Sequence, residues 1–240
     1  GQTGTGKTYF GFTFPKVVYL GTEPNGLDTA KSNPQLLDNL VWAEEFIPSP
    51  DEDIKSVFER LDAAINKAHA DYKAGTCETL FLDNFSFLSE NRWIYINRYE
   101  LIRSTGGNTD TRGMYGILSR WLYNFTLTKL LSFKGNVVVT CHEQAEGDEA
   151  MERKVDKTLS IAPNILGGFR EKVAGMFSAS IYLEKRRFGD GKYEYWARCQ
   201  KGNQRDAKSR YGLPEFVKNI SYAAVMEAIQ INLNNKGGSK

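Results

Sequence analysis

Cysteine and histidine are scarce in this 240-residue chain, and that scarcity closes off several chemistries. The three cysteines, Cys77, Cys141 and Cys199, lie far apart and show no CxxC spacing. An odd, scattered set excludes a disulfide framework or a cysteine-held zinc and reads as free thiols in a reducing compartment. Two histidines, His69 and His142, are too few for a multi-histidine metal centre. No apolar run reaches the roughly 18 residues of a membrane-spanning helix, and no basic-then-apolar leader opens the chain. A cytoplasmic protein without a membrane partner is the expectation.

Apolar and aromatic residues are present in ordinary or generous amounts. Hydrophobic residues make up 41% and aromatics 12%, enough to bury a core and to exclude a disordered or collagen-like chain. The net charge of +2 hides an asymmetry. Residues 185–210 carry nine basic residues against three acids, +6, which leaves −4 on the rest. Such a stretch fits a phosphate-rich partner or a charged subunit contact. It equally fits a solvated hairpin whose charges discourage edge pairing.

Short apolar runs bounded by turn residues predict buried strands at Val17–Leu20, Thr79–Asp83 and Asn136–Thr140, with another at 40–46. Ile54, Val57, Phe58, Leu61, Ala64, Ile65 and Ala68 recur at helical spacing and predict a helix over 51–72, capped by Ser49 or Asp51 and ended at Gly75. Further helices are predicted at about 86–102, 112–133, 166–176 and 222–233. Residues 24–39 read as a loop with one helical turn, and 143–157, polar and without an apolar period, as a loop. Alternation at 180–187 and 193–199, around Phe188-Gly-Asp-Gly191, predicts a hairpin that extends a sheet edge. The pattern is an α/β fold, a mostly parallel sheet flanked by helices, with an edge β-hairpin near the C-terminus.

The strongest motif opens the chain. Gly1-Gln2-Thr3-Gly4-Thr5-Gly6-Lys7-Thr8 matches the G-x-x-x-x-G-K-[ST] phosphate loop. Its glycines let successive backbone N–H groups turn toward phosphates, and the following helix aims its positive end there. Lys7 is placed to neutralise β- and γ-phosphate oxygens, and Thr8 to ligate magnesium. Asp83 ends an apolar strand, the setting of a Walker B acid that holds the magnesium shell. Asn84 follows it, so no second acid adjoins, and the hydrolytic base is sought elsewhere. Glu23, just past the strand at 17–20, is the candidate, since open α/β sheets bind ligands at their carboxyl ends. Thr140, His142 or Gln144, at the end of the third strand, are candidates for sensing the γ-phosphate, with His142 favoured. A phosphate loop normally follows an anchoring strand, so residues upstream of Gly1 are expected in the native protein.

With these residues placed, the chain resembles RecA-like P-loop ATPases, and among them the phage nucleotide-binding proteins of the Sak-type annealing group. The resemblance rests on GQTGTGKT, FPKVVYLGTEPNG, TLFLDN, VVVTCHEQ and KSRYGLP and spans about residues 1–215 in order. It implies one RecA-like ATPase domain over 1–240, ATP and Mg2+ as ligands, and a homo-oligomer, ring or filament. KSRYG, residues 208–212, resembles the KNRFG motif of RadA-type proteins, departing from it conservatively. In those relatives basic residues near this point reach a neighbour's nucleotide, which implicates Lys208 and Arg210, with Lys185 or Lys201 as weaker alternatives. The resemblance also implies single-stranded DNA as partner, along loops matching about 103–113 and 145–164. Arg103 and Arg112 suit phosphate contact in the first, whereas a net −2 over 145–157 makes the second a poor polyanion clamp. Three functions stay in competition: a recombination or annealing ATPase in a phage-infected bacterial cytoplasm, a DNA motor or loader, and a nucleotide-gated assembly protein with little hydrolysis.

Overall fold

The computed structural model describes residues 1–104, 107–146, 160–187, 189, 191–201 and 207–237. Its centre is a four-stranded parallel sheet of order β2-β1-β3-β4. The strands are β1 (Val17–Gly21), β2 (Leu40–Glu45), β3 (Thr79–Asp83) and β4 (Asn136–Val139). β1 and β3 are buried along their whole length, which is why they read as continuous apolar runs rather than alternating ones. Val18, Leu20, Leu80 and Leu82 face a core built with α3 (Ile54–Lys73), α4 (Phe85–Tyr99) and α5 (Thr111–Phe125). Val17, Tyr19, Phe81 and Val138 face a second core containing Phe12, Ala30 and Leu36. These come from α1 (Lys7–Phe12), α2 (Asp28–Lys31) and a 3-10 turn at Pro34–Asn39.

α1 packs directly on β3. A Cβ at Gly11 would lie inside the van der Waals envelope of the Phe81 ring, so only hydrogen fits. Gly11→Ala is expected to destabilise the fold by about 1–3 kcal/mol, the cost of overpacking a filled core. Urea denaturation reads this as a lower midpoint at unchanged slope.

The helix predicted over 51–72 forms as α3, with its apolar stripe buried. Its cap is Asp53, which accepts from the Lys55 N–H at 3.0 Å, rather than Ser49 or Asp51. α5 ends in a π-turn at Thr126–Leu130, short of the predicted 133. The helix expected over 166–176 is shortened to α6 (Arg170–Met176). Residues 143–157 are not loop throughout: β5 (Glu143–Glu146) pairs antiparallel with β6 (Ser160–Pro163), and 147–159 lie outside the described residues. Cross-strand hydrogen bonds there override a sequence with no apolar period.

After β7 (Ala179–Ser180) the C-terminal hairpin forms as β8 (Tyr182–Arg187) and β9 (Tyr193–Arg198). Rather than extending the parallel sheet, it joins β11 (Phe216–Lys218) in a separate antiparallel sheet. Leu183, Ala197, Cys199, Leu213 and Ile220 make a third core with Phe10 of α1 and with α7 (Tyr222–Gly237), so packing on α1 sets the hairpin's position. β10 (Lys208–Ser209) pairs with β7. Among the described residues no helix is long and apolar enough to cross a membrane. Cys77, Cys141 and Cys199 are free thiols.

Candidate active site

The phosphate loop lies past the carboxyl ends of β3 and β4, where Thr8 meets Asp83 and Gly1 meets Cys141. Gly4 and Gly6 adopt left-handed backbone, φ 75° and 87°, which lets consecutive N–H groups converge on one concavity. Thr5 Oγ1 closes the turn by donating to the Gln2 carbonyl at 2.8 Å, while Gln2 and Thr3 are exposed. Gly1 sits between β4 and the hairpin: its backbone nitrogen lies 3.5 Å from the Cys141 carbonyl oxygen, and a Cβ there would strike the Leu183 carbonyl. Lys7 Nζ folds back onto its own loop, donating to the Gly1 and Gln2 carbonyls at 3.0 and 2.7 Å. Burial lowers the Lys7 ammonium below its ordinary range, opposed by Asp83, Glu23 and Glu143.

Asp83 is fully buried at the end of β3. Thr8 Oγ1 donates to its Oδ2 at 2.7 Å, Tyr19 Oη lies 3.4 Å from the same oxygen, and Thr140 Oγ1 donates to Oδ1. Burial raises the carboxyl above the usual carboxylate range, against the pull of Thr140, Thr8 and Lys7. Asp83 does not cap the next helix. That task falls to Asn84, whose Oδ1 accepts from the Phe87 N–H at 3.0 Å.

Asn84 also carries the link that sequence spacing did not reveal. Its Nδ2 donates to Glu23 Oε2, while His142 Nε2 lies 3.3 Å from Glu23 Oε1. The three candidates Glu23, Asp83 and His142 therefore converge at the ends of adjacent strands. Thr22 Oγ1 donates to the Asn84 carbonyl, and the His142 N–H donates to Ser86 Oγ at 3.0 Å, so both ends of the cluster are anchored. The His142 hydrogen bond holds the Glu23 carboxyl below the usual carboxylate range; partial burial opposes this, and Asn84 and Lys7 add to the lowering. A carboxyl depressed on folding adds stability above its unfolded pKa, and that stability is lost as pH falls through the folded value. His142→Ala is expected to move the Glu23 titration to higher pH, read by 13C NMR of the carboxyl. An unmoved titration would reduce His142 to a neighbour without electrostatic effect.

Lys208 and Arg210 are elsewhere. Lys208 lies on β10 opposite Ser180, the Arg210 N–H donates to the Ser178 carbonyl at 2.9 Å, and Arg210 is exposed. Among the described residues, no hydrogen bond or ion pair joins either side chain to Lys7, Glu23 or Asp83. Burial, and then Arg210, lower the Lys208 ammonium. Part of the basic stretch is consumed internally. Arg186 pairs with Glu184 and lies over Trp196 and Phe216, and Arg198 pairs with Glu215 at 2.9 Å. Arg103 makes a β-bridge to Thr109, and both Arg103 and Arg112 are exposed.

Sequence reading missed Tyr19, which resembles core in an apolar strand, and the role of Asn84, whose position beside Asp83 was the available signal. Among the described residues no group of three or more His, Cys, Asp and Glu is arranged to hold a metal. Thr8 and Asp83 are instead the hydroxyl-plus-carboxylate pair that suits a magnesium whose other ligands are phosphate and water. The chain is similar to a KaiC-like protein from the hyperthermophilic archaeon Pyrococcus horikoshii OT3, at 13% identity and TM-score 0.39, covering 92% of this chain and 87% of that one. No curated protein matches it in sequence. Residues 1–211 match the family described as AAA domain. The chain belongs to this AAA domain family of P-loop ATPases.

Proposed function

We propose that the chain is a magnesium-dependent ATPase that assembles as a homo-oligomer, ring or filament, and acts on single-stranded DNA in phage-type recombination or strand annealing. The observation that carries the catalytic part is the Glu23 carboxylate, held by Asn84 and His142 beside the phosphate loop. ATP places its phosphates against the loop N–H groups, and Lys7 exchanges the Gly1 and Gln2 carbonyls for β- and γ-phosphate oxygens. Thr8 and Asp83 would hold magnesium, which when bound neutralises charge on those oxygens. Glu23 orients water and takes its proton while the water oxygen bonds to the γ-phosphorus. The bond to the β–γ bridging oxygen breaks, and ADP and phosphate leave.

Two features support the assembly and DNA parts. Arg210, exposed on the KSRYG segment, has the charge and exposure to reach a neighbour's phosphates in trans. His142 joins Glu23 to β5, the strand that leads into 147–159, and exposed Arg103 and Arg112 are available to a phosphate backbone. The test is ATP turnover with and without single-stranded DNA, on wild type and on Arg210→Ala. Arg210→Ala is expected to bind ATP but hydrolyse it about 10³-fold more slowly. Mixing it with Lys7→Ala protein should restore part of the rate, because some interfaces then pair an intact loop with an intact arginine. Normal basal turnover with a flattened salt dependence of DNA binding would assign Arg210 to DNA instead. Turnover indifferent to single-stranded DNA would remove the DNA role.

A further inference from the structure

The ends of the strands order the site from one side to the other. Glu23 lies at the end of β1, Asp83 at β3, and Thr140 and His142 past β4. Next comes Gly1, against the Cys141 carbonyl, and beyond it β8, whose Leu183 carbonyl touches Gly1. The base that activates water marks the γ-phosphate end of any nucleotide. The nucleoside must therefore leave the phosphate loop on the other side, toward the hairpin.

An aromatic ring waits there. A Cβ built on Gly6 would lie 3.5 Å from Cδ1 of Tyr195, so this ring is in van der Waals reach of the phosphate loop itself. Tyr195 is 40% exposed and Tyr193 52% exposed. Lys185 is the cross-strand partner of Tyr195, and its Nζ lies 4.0 Å from the Tyr193 ring centroid and 5.8 Å from that of Tyr195. Further along the same face, Leu183 and Ala197 are buried in the third core, so the hairpin is rigidly seated where these rings emerge. The opposite face cannot serve: Arg186 there lies over both Trp196 and Phe216, whose rings meet edge to face.

We propose that Tyr195 is the stacking platform for the base of the bound nucleotide, with Lys185 and Tyr193 bracing it. An aromatic ring, partly exposed and set beside the last glycine of the loop, matches the π-face of a purine. Stacking of this kind is tolerant of base identity, so the platform selects for a nucleoside over bare polyphosphate more than for adenine over guanine.

This inference rests on the nucleotide reading of the phosphate loop, and the experiment separates the two. Magnesium-ATP and magnesium-tripolyphosphate are titrated calorimetrically into the full chain as wild type, Tyr195→Ala and Tyr195→Phe. Wild type is expected to bind ATP more tightly than tripolyphosphate. Tyr195→Ala should lose about 10- to 100-fold in ATP affinity, the range for one base stacked on an aromatic, while tripolyphosphate affinity is unchanged. Tyr195→Phe, which keeps the ring, should bind both as wild type does. Unchanged ATP affinity in Tyr195→Ala overturns the platform, and so does an equal loss for both ligands, which would mean a distorted loop. Tripolyphosphate bound as tightly as ATP by wild type refutes the platform but leaves the phosphate site standing. Failure of wild type to bind either ligand overturns the phosphate site and the platform together.

Discussion

Glu23→Gln is expected to bind ATP with nearly wild-type affinity and to hydrolyse it about 10²–10⁴-fold more slowly. The geometry explains why binding and turnover should separate. Glu23 contacts Asn84 and His142 rather than the phosphate loop, so the substitution leaves Lys7, Thr8 and Asp83 in place. Glutamine keeps the side-chain length but cannot take a proton from water. Its amide also presents N–H to a partner at one of the two positions where the carboxylate accepts, which weakens the hold of Asn84 or His142. Single-turnover hydrolysis beside equilibrium ATP binding checks the prediction. Loss of binding, or unchanged turnover, would leave Glu23 a loop acid with no part in the chemistry.

Lys7→Ala should fail at an earlier step: no measurable hydrolysis, and ATP affinity lowered by about 10²-fold, the worth of charge-assisted hydrogen bonds to phosphate. The ammonium is partly buried and oriented by the Gly1 and Gln2 carbonyls, so its desolvation is already met when phosphate oxygens replace them. Because Lys7 starts α1 at the surface side of the core, the variant is expected to fold, and circular dichroism with thermal melting confirms that point. Turnover at the wild-type rate in a folded Lys7→Ala protein would withdraw the phosphate-loop assignment. The two variants also differ in mixtures: Lys7→Ala can supply Arg210 to a neighbour, whereas its own site stays silent.

The elements with strong local signals are legible in the sequence. The Gly4 and Gly6 spacing needs backbone that only glycine adopts cheaply, so the phosphate loop declares itself in eight letters. The apolar runs at 17–20 and 79–82 and the 3.6-residue stripe of α3 state their burial directly. The positions of Asp83, Glu23 and His142 were readable because each ends or follows such a run.

Other features depend on pairs remote in sequence. Nothing local distinguishes Asn84 as a helix cap from Asn84 as the holder of Glu23, 61 residues away; it is both. Tyr19 reads as core until the fold sets its hydroxyl near Asp83. The hairpin was legible as a hairpin, but its sheet was not, because packing on Phe10 and α7 decides which edge it meets. β5 lacks an apolar period altogether and exists through its cross-strand bonds to β6. The chain's own letters thus marked the phosphate-loop motif, the parallel core and the position of acids at its strand ends, since each is a property of a few consecutive residues. Which acid is held by which amide, and which tyrosine faces the loop, followed from the packing of distant segments, since those contacts exist in no local pattern.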